Sequence, residues 1–212
     1  MLIDTDCPDV IIITESHCNH LIPDRLISFK DFNLARVDRS VGRKGGVVLL
    51  TRTDFPISNI KVNAHPTGTW EGLFCDLLVS KVTTLRICSI YRTPGKLPDD
   101  AAADFFTFLE DSLPTKNSPY LLAGDFNLPT INWTTCTSTG SITASHFLDF
   151  FLNASLNQHV NFTTRYRAGN KPSLLDLVIT DSQNSIAKLG SSHPLGKSDH
   201  LVIHFDFHFR RV

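Results

Sequence analysis

The segment LLAGDFN, Leu121–Asn127, is the stretch from which the rest of the chain is interpreted. Its first residues form a short apolar run typical of a buried strand, and the run ends at Asp125 and Asn127. Side chains two apart in an extended chain point the same way, so we expect this carboxylate and amide to face one site. The carboxylate could accept a proton from water while the amide donates to a phosphate oxygen, which suits in-line attack on a phosphate ester. An Asx-turn that closes the strand is the alternative interpretation.

Other short apolar runs, bounded by Gly, Pro, Asn or Asp, predict further strands. With Tyr120–Ala123 they are Val10–Thr14, Gly46–Leu50, Leu73–Val79, Leu85–Tyr91, Leu174–Thr180 and Leu201–Phe209. Apolar residues repeat with helical spacing in two segments, Asp99–Leu113 and Ser145–Ser155. The mixture predicts an α/β fold in which two sheets pack face to face and helices cover their outer faces.

Composition restricts the class of protein. With 212 residues, of which 42% are hydrophobic, the chain suits one domain spanning residues 1–212. It has no apolar stretch long enough to cross a bilayer and no signal-peptide pattern, so we expect an intracellular protein, nuclear or cytoplasmic and not secreted. Its five scattered cysteines indicate neither a disulfide framework nor a thiolate zinc site. The net charge of -1 argues against a basic nucleic-acid coat, although local basic clusters can still bind.

Two more acids lie next to predicted strands. Glu15 directly follows the Val10–Thr14 run, where a magnesium ligand would be expected, because Mg²⁺ takes one or two carboxylates and completes its shell with water and phosphate. Asp199 precedes His200 at the start of the last predicted strand. A single acid after a strand is more often a solvated loop residue, so the metal hypothesis depends on these acids meeting one another.

Asp176 is a lone acid within the apolar run Leu174–Ile179. A buried carboxylate is costly unless it has a donor, and a histidine is a natural one. We therefore predict that Asp176 orients and charges His200. The alternative is a structural Asp that caps a neighbouring loop.

Two histidine-containing segments are not taken as metal sites. His200, His204 and His208 are spaced by four, but the apolar residues around them alternate as in a strand, which separates them. The group His17–His20 also contains a cysteine, yet without a second ligand pair it is a weak signal for zinc.

Basic residues surround the Gly45-Gly46 turn and follow several predicted strands. They are Arg36, Arg39, Arg43, Lys44 and Arg52 near the turn, and Arg92, Arg165, Arg167 and Lys171 in later loops. If these loops share one rim, they could hold the phosphates that flank a scissile one, in contacts that position the strand without reading its sequence. For any single one of these residues, an ordinary solvated surface is the better interpretation.

The ordered set of motifs resembles the endonuclease/exonuclease/phosphatase superfamily, and most closely the endonuclease domain of LINE-type non-LTR retrotransposons, kin to apurinic/apyrimidinic endonucleases. Each motif alone is modest, but together they extend over nearly the whole chain. In chain order they are Pro8–Ser16, Asp38-Arg39 with Gly45-Gly46, Ile90–Pro94, Gly124–Pro129 with Ile131 and Trp133, Thr163–Arg165, Leu175–Val178 and Leu195–His200.

The resemblance implies a four-layer α/β sandwich with two packed mixed sheets. It also implies a magnesium-dependent DNA endonuclease, derived from a non-LTR retrotransposon, whose cut leaves a 3′-hydroxyl. Glu15 would bind the Mg²⁺, or Mn²⁺ in its place, with Asp199 assisting. DNA is the implied partner, with no membrane, and a reverse transcriptase domain is expected to be lost or separately encoded.

The resemblance also implies roles for the remaining site residues. Asp125 and Asn127 would position the attacking water. His200, paired with Asp176, would stabilise the pentacovalent phosphate, and Tyr91 would contact it from another side. Thr164 matches a phosphate-adjacent position of the family, and Arg43, Arg92 and Arg165 are the basic residues expected to contact substrate.

One departure from the family affects the expected activity. Family members begin with a strand that carries a metal-binding Asn, whereas this chain starts at Met1, just before Pro8. We therefore expect the first strand to be absent. Two other functions stay open: a catalytically impaired remnant that only binds nucleic acid, and a superfamily phosphatase or phosphodiesterase acting on small phosphate esters or inositol lipids.

Overall fold

The computed structural model describes residues 8–42, 44–115 and 118–209. Two α-helices, α1 (Asp99–Ser112) and α2 (Ile142–Asn153), accompany thirteen strands in this part of the chain. The strands are β1 (Val10–Thr14), β2 (Phe32–Val37), β3 (Val47–Arg52), β4 (Ile57–Ala64), β5 (Trp70–Leu78), β6 (Thr84–Arg92), β7 (Tyr120–Asp125), β8 (Ile131–Asn132), β9 (Thr137–Ser138), β10 (Asn157–Gln158), β11 (Asp176–Thr180), β12 (Ile186–Ser192) and β13 (Val202–Phe207). Short 3₁₀ turns lie at Asp24–Leu26 and Gln183–Ser185.

The largest sheet has six strands in the order β10-β11-β7-β6-β5-β4. Strands β6 and β7 are parallel and are joined through α1, whereas the other pairs in this sheet are antiparallel. A parallel pair needs such a crossover, because its strands cannot be joined by a tight hairpin. Three smaller sheets, β1-β3-β2, β12-β13 and β8-β9, are antiparallel.

Both faces of the six-stranded sheet are covered. One face packs on α1 and α2 in a core that includes Trp70, Phe105 and Phe147, each fully buried. The opposite face packs on the β1-β3-β2 sheet and the β12-β13 pair, around residues such as Leu49 and Leu73. Burial of both faces explains why the central strands are nearly continuous apolar runs.

The predicted α/β sandwich of two packed sheets is confirmed, but the two described α-helices do not cover both outer faces. Both α-helices lie on the same side, and of the two packed sheets only the six-stranded one is mixed. In the described residues, the outer face of the β1-β3-β2 sheet packs on Cys18 and Ile27, from a segment that contains a 3₁₀ turn. The absence of a strand before Pro8 stays a prediction, since residues 1–7 lie outside the described part.

One glycine permits the close approach of β6 and β7. Gly124 has a φ of +145°, and a Cβ built on it would lie 1.9 Å from the Ile90 carbonyl oxygen. Only a residue without a side chain fits there. The glycine before Asp125 therefore brings the end of β7 against the end of β6.

Neither α-helix of the described chain is long and apolar enough to cross a membrane.

Candidate active site

Four ionisable side chains form a row across the six-stranded sheet. The strand register pairs Glu71 with Tyr91, Tyr91 with Asp125, and Asp125 with Asp176. Residues directly opposite on neighbouring strands place their side chains on the same face. The sheet thus assembles a polar row from β5, β6, β7 and β11, in a largely apolar layer.

Asp125 and Asn127 contact each other, as their spacing predicts. Asp125 is 3% exposed, and its two carboxylate oxygens accept hydrogen bonds from the backbone N–H of Asn127 (3.0 Å) and from its Nδ2 (2.9 Å). Asn127 has a left-handed φ of 49°, and its Nδ2 also donates to the Arg92 carbonyl at 2.7 Å. The Asx-turn is therefore present. Because both Nδ2 hydrogens are used, this amide orients Asp125 rather than donating to a phosphate.

The environment of Asp125 favours its protonated form in the absence of a cation. Burial is the main cause, and the negative charges of Asp176 and Glu15 add to it, so the pKa of Asp125 rises to about 8. The charge of His200 and the backbone N–H of Asn127 act in the opposite direction but are outweighed.

His200 and Asp176 are in contact. The Nδ1 of His200 lies 2.8 Å from Asp176 Oδ2, and the Thr164 hydroxyl donates to the same oxygen at 2.6 Å. That hydroxyl in turn accepts from the backbone N–H groups of Leu175 and Asp176, both at 3.1 Å. Burial alone would lower the pKa of His200, but the hydrogen bond and charge of Asp176, with further nearby carboxylates, outweigh burial and raise it.

Glu15 lies beside Tyr91. The Tyr91 hydroxyl donates to Glu15 Oε1, and the Arg39 guanidinium carbon lies 5.3 Å from the centre of the Tyr91 ring. Burial and the hydrogen bond to Glu15 raise the pKa of Tyr91 well above its ordinary value, so its hydroxyl stays neutral. The charge of Glu15 also acts on Asp125, which places all three groups in one electrostatic neighbourhood.

A buried ion pair that sequence reasoning missed supports this side of the site. Glu71 is fully buried and accepts from Arg39 Nε (2.7 Å), Arg39 Nη2 (3.1 Å) and the Gly46 N–H (3.1 Å). The glycine turn then accepts from the two residues after Glu15: Ser16 N–H bonds Gly46, and His17 N–H bonds Gly45. The sequence signal was weak, because Glu71 precedes the predicted apolar run Leu73–Val79 and shares its strand with a second acid, Asp76.

Replacing Glu71 by Gln is expected to lower the free energy of unfolding by about 2 kcal/mol, because hydrogen bonds to a charged buried group contribute about 1.5–3 kcal/mol. The amide keeps one acceptor oxygen but removes the charge opposite Arg39. Urea unfolding monitored by tryptophan fluorescence measures the loss. An unchanged denaturation midpoint would mean that the ion pair does not stabilise the glycine turn.

The remaining predicted residues lie around this centre. Asp199 pairs with Arg165 at 3.0 Å and Arg167 at 3.7 Å; burial raises its pKa, but the hydrogen bond and charge of Arg165 prevail and lower it. Arg92 is 2% exposed and donates to the carbonyls of Phe126, Asn127 and Gly95, so it braces the loop after β7 instead of forming a rim. Arg43 lies outside the described residues.

The donor set fits a divalent cation. One polar atom from each of Asp125, Asp176 and His200 lies within 4.8 Å of the other two. Because the bond to Asp176 favours a charged His200, which donates instead of ligating, the two carboxylates are the ligands of this group. Burial, together with the charge of Asp176, holds the pKa of Asp125 at about 8, and a cation bound here would stabilise the buried negative charge. Glu15 and Asp199, the ligands predicted from sequence, do not belong to this group of three.

Comparison with known proteins adds a family match. Residues 85–204, more than half of the chain, match a family described as endonuclease-reverse transcriptase. The matched region contains Tyr91, Asp125, Asp176 and His200, whereas Glu15 and Glu71 precede it. No curated protein matches the chain in sequence.

Solved structures share the fold at low sequence identity. The 3′ phosphatase NExo from Neisseria, bound to a product DNA hairpin, matches with a TM-score of 0.73 and 14% identity, covering 98% of this chain and 92% of that one. The endonuclease domain of TRAS1, a telomere-specific non-LTR retrotransposon, matches with a TM-score of 0.66 and 14% identity, covering 99% and 90%. The AP endonuclease LMAP from Leishmania major matches with a TM-score of 0.69 and 11% identity, covering 98% and 80%.

Proposed function

Because the chain belongs to the endonuclease-reverse transcriptase family, within the endonuclease/exonuclease/phosphatase superfamily, we propose that it is a magnesium-dependent DNA endonuclease derived from a non-LTR retrotransposon. The observation that carries the proposal is the meeting of Asp125, Asp176 and His200, whose polar atoms lie within 4.8 Å of one another. Hydrolysis of a phosphodiester needs a base for water and a cationic donor for the phosphate, and this group offers both.

Asp125 is the residue suited to accept a proton from the attacking water. Its carboxylate is fixed by the two hydrogen bonds from Asn127, and Arg92 donates to the Asn127 carbonyl of the same loop. A fixed carboxylate can hold water in the direction of attack without reorganising during the reaction. Arg92 therefore acts as a positioning residue, because it holds the loop that carries Asn127.

His200 is the residue suited to stabilise the phosphate. Its Nδ1–H donates to Asp176, which the Thr164 hydroxyl holds in turn, so the charged imidazole is left with Nε2–H as a free donor. A cation with a defined donor direction stabilises charge that develops on a phosphate oxygen. The neutral Tyr91 hydroxyl, on the neighbouring strand, would become a second donor only by giving up its hydrogen bond to Glu15.

Glu15 would hold the Mg²⁺ together with Asp125, on which its charge acts, and Asp199 would join only by giving up its contact with Arg165. A bound Mg²⁺ would neutralise the phosphate and favour the ionised carboxylates. The positive φ of Glu15 (49°) and the backbone bonds of Ser16 and His17 to the glycine turn fix the position of its side chain.

The experiment that tests this function is a substrate panel at fixed protein concentration. Supercoiled plasmid, a 3′-phosphorylated oligonucleotide and inositol phosphates are incubated with Mg²⁺ or with EDTA. Conversion of supercoiled to open-circular plasmid only with Mg²⁺ is expected. Release of phosphate from the small esters without nicking would favour the phosphatase alternative, and no reaction from a folded chain would favour the remnant.

A further inference from the structure

A cleft of about 410 Å³ adjoins the candidate active site, on the side of Glu15. Its lining residues are His17, Cys18, Asn19, Arg39, Gly42 and Lys44. Two of them, Arg39 and Lys44, are cations. Among the described residues no carboxylate lines the cleft, although the whole chain carries a net charge of -1. Because Glu71 neutralises Arg39, the uncompensated positive charge of the cleft lining comes from Lys44.

Arg39 connects the cleft to the catalytic row. Its Nε and Nη2 donate to Glu71, and its guanidinium lies over the ring of Tyr91. Nη1 stands outside that ion pair. Arg39 therefore contacts both the Tyr91 ring of the catalytic row and the space in which an anion would bind.

The backbone around the cleft is held in an uncommon conformation. His17 and Lys44 have positive φ values of 55° and 80°, which non-glycine residues rarely adopt. The loop of His17 is tied to the glycine turn after Lys44 by the hydrogen bond from His17 N–H to the Gly45 carbonyl, at 2.9 Å. Both side chains are exposed. The fold thus holds two flexible side chains near each other at the expense of local strain, an arrangement concentrated at functional sites.

We propose that this cleft is a subsite for a backbone phosphate of the same DNA strand, next to the phosphate held at the candidate active site. The inference rests on the proposed function and adds a substrate contact that acts at a distance from the reaction. Lys44 is its principal residue, since an exposed ammonium neutralises a phosphate as a point charge without reading base sequence. Such a contact releases a counterion, so its removal changes the salt dependence of binding.

The test is DNA binding by Lys44→Ala, compared with wild type and with Lys81→Ala. Lys81 is an exposed lysine in the turn between β5 and β6, at the opposite end of β6 from Tyr91, so its replacement matches the change in net charge. The probe is a fluorescent duplex with hydroxyl groups at its ends, in EDTA, so that neither cleavage nor a terminal phosphate contributes. Fluorescence anisotropy gives the affinity at several salt concentrations.

For Lys44→Ala we expect the slope of log affinity against log salt to fall by about 0.9, the value for one lost phosphate contact on duplex DNA. Lys81→Ala should keep the wild-type slope, and Lys44→Arg should restore it. In nicking assays Lys44→Ala should raise KM with kcat unchanged.

An unchanged slope for Lys44→Ala would overturn the subsite while leaving the endonuclease intact, provided that the wild type binds and nicks. Loss of the same slope in Lys81→Ala would overturn it too, since the effect would then be one of net charge. If the wild type neither binds the duplex nor nicks plasmid, the proposed function fails and the subsite fails with it.

Discussion

Replacing His200 by alanine is expected to slow plasmid nicking by about 10²–10³-fold, the usual cost of removing one donor that stabilises a developing oxyanion. The imidazole is held by Asp176 and has no other partner for its Nε2–H among the described residues, so no neighbouring group takes over. The side chain is partly exposed, and its removal should leave the fold intact. The initial rate of conversion of supercoiled to open-circular plasmid in Mg²⁺ measures the effect.

His208→Ala is the matched control for this experiment. His208 is exposed, follows β13 and contacts the fold through its backbone N–H, so its side chain can be removed without disturbing the site. Asp176→Asn should fall between the two, since it keeps an acceptor for Nδ1 but removes the charge that raises the pKa of His200. Nicking by His200→Ala at the wild-type rate would exclude His200 from the reaction.

The metal-free protein is expected to lose stability as the pH rises from about 4 to about 8. The pKa of Asp125 is raised from 3.8 to about 8 by burial and by Asp176, so the folded state binds a proton that the unfolded chain releases. The stabilisation from this proton is fully present below pH 3.8 and is lost as the pH rises through 8. Between pH 5 and pH 8 the loss amounts to about 4 kcal/mol.

The titration of His200 changes the stability of the folded protein in the same direction. Its pKa is raised in the folded state, mainly because the bond to Asp176 outweighs burial, so its contribution is present below pH 6.5 and is lost above. Thermal unfolding in EDTA at pH 5 and pH 8 measures the combined loss. Asp125→Asn should show a smaller loss, because it cannot titrate, while Mg²⁺ should restore stability at pH 8 more than at pH 5. Equal pH dependence in the wild type and Asp125→Asn would contradict the raised pKa.

Several elements could be predicted from the sequence because the spacing of their apolar residues follows from which side chains are buried. β1 is found at the predicted residues, and α1 differs from its predicted range only at its last residue. β4 and β12 were missed for the converse reason: β4 is largely exposed and β12 only half-buried, and polar residues interrupt the apolar pattern of both. α2 begins earlier than predicted, at Ile142, since Ser141 caps it through the Ala144 N–H.

The candidate site also contains some contacts that the sequence predicts and others that it does not. The contacts of Asp125 with Asn127 and of Asp176 with His200 follow from local spacing and from the cost of burying a lone acid. The row across four strands does not, because it requires the register of pairs distant in the chain. The role of Arg92 could not be predicted for the same reason. A basic residue after a strand is expected to be exposed at the surface, and only the tertiary fold shows that Arg92 is buried.

The most direct test of the central claim is the chemistry of the DNA end that the chain produces. Plasmid nicked in Mg²⁺ is repurified and given to a DNA polymerase with labelled nucleotides, with and without prior treatment by a 3′ phosphatase. In the proposed function water held at Asp125 attacks the phosphorus and the P–O3′ bond breaks, so the 5′ end keeps the phosphate. This predicts immediate incorporation of label from a 3′-hydroxyl, equal in both samples. Incorporation only after phosphatase treatment, or no nick at all from the folded protein, would contradict it.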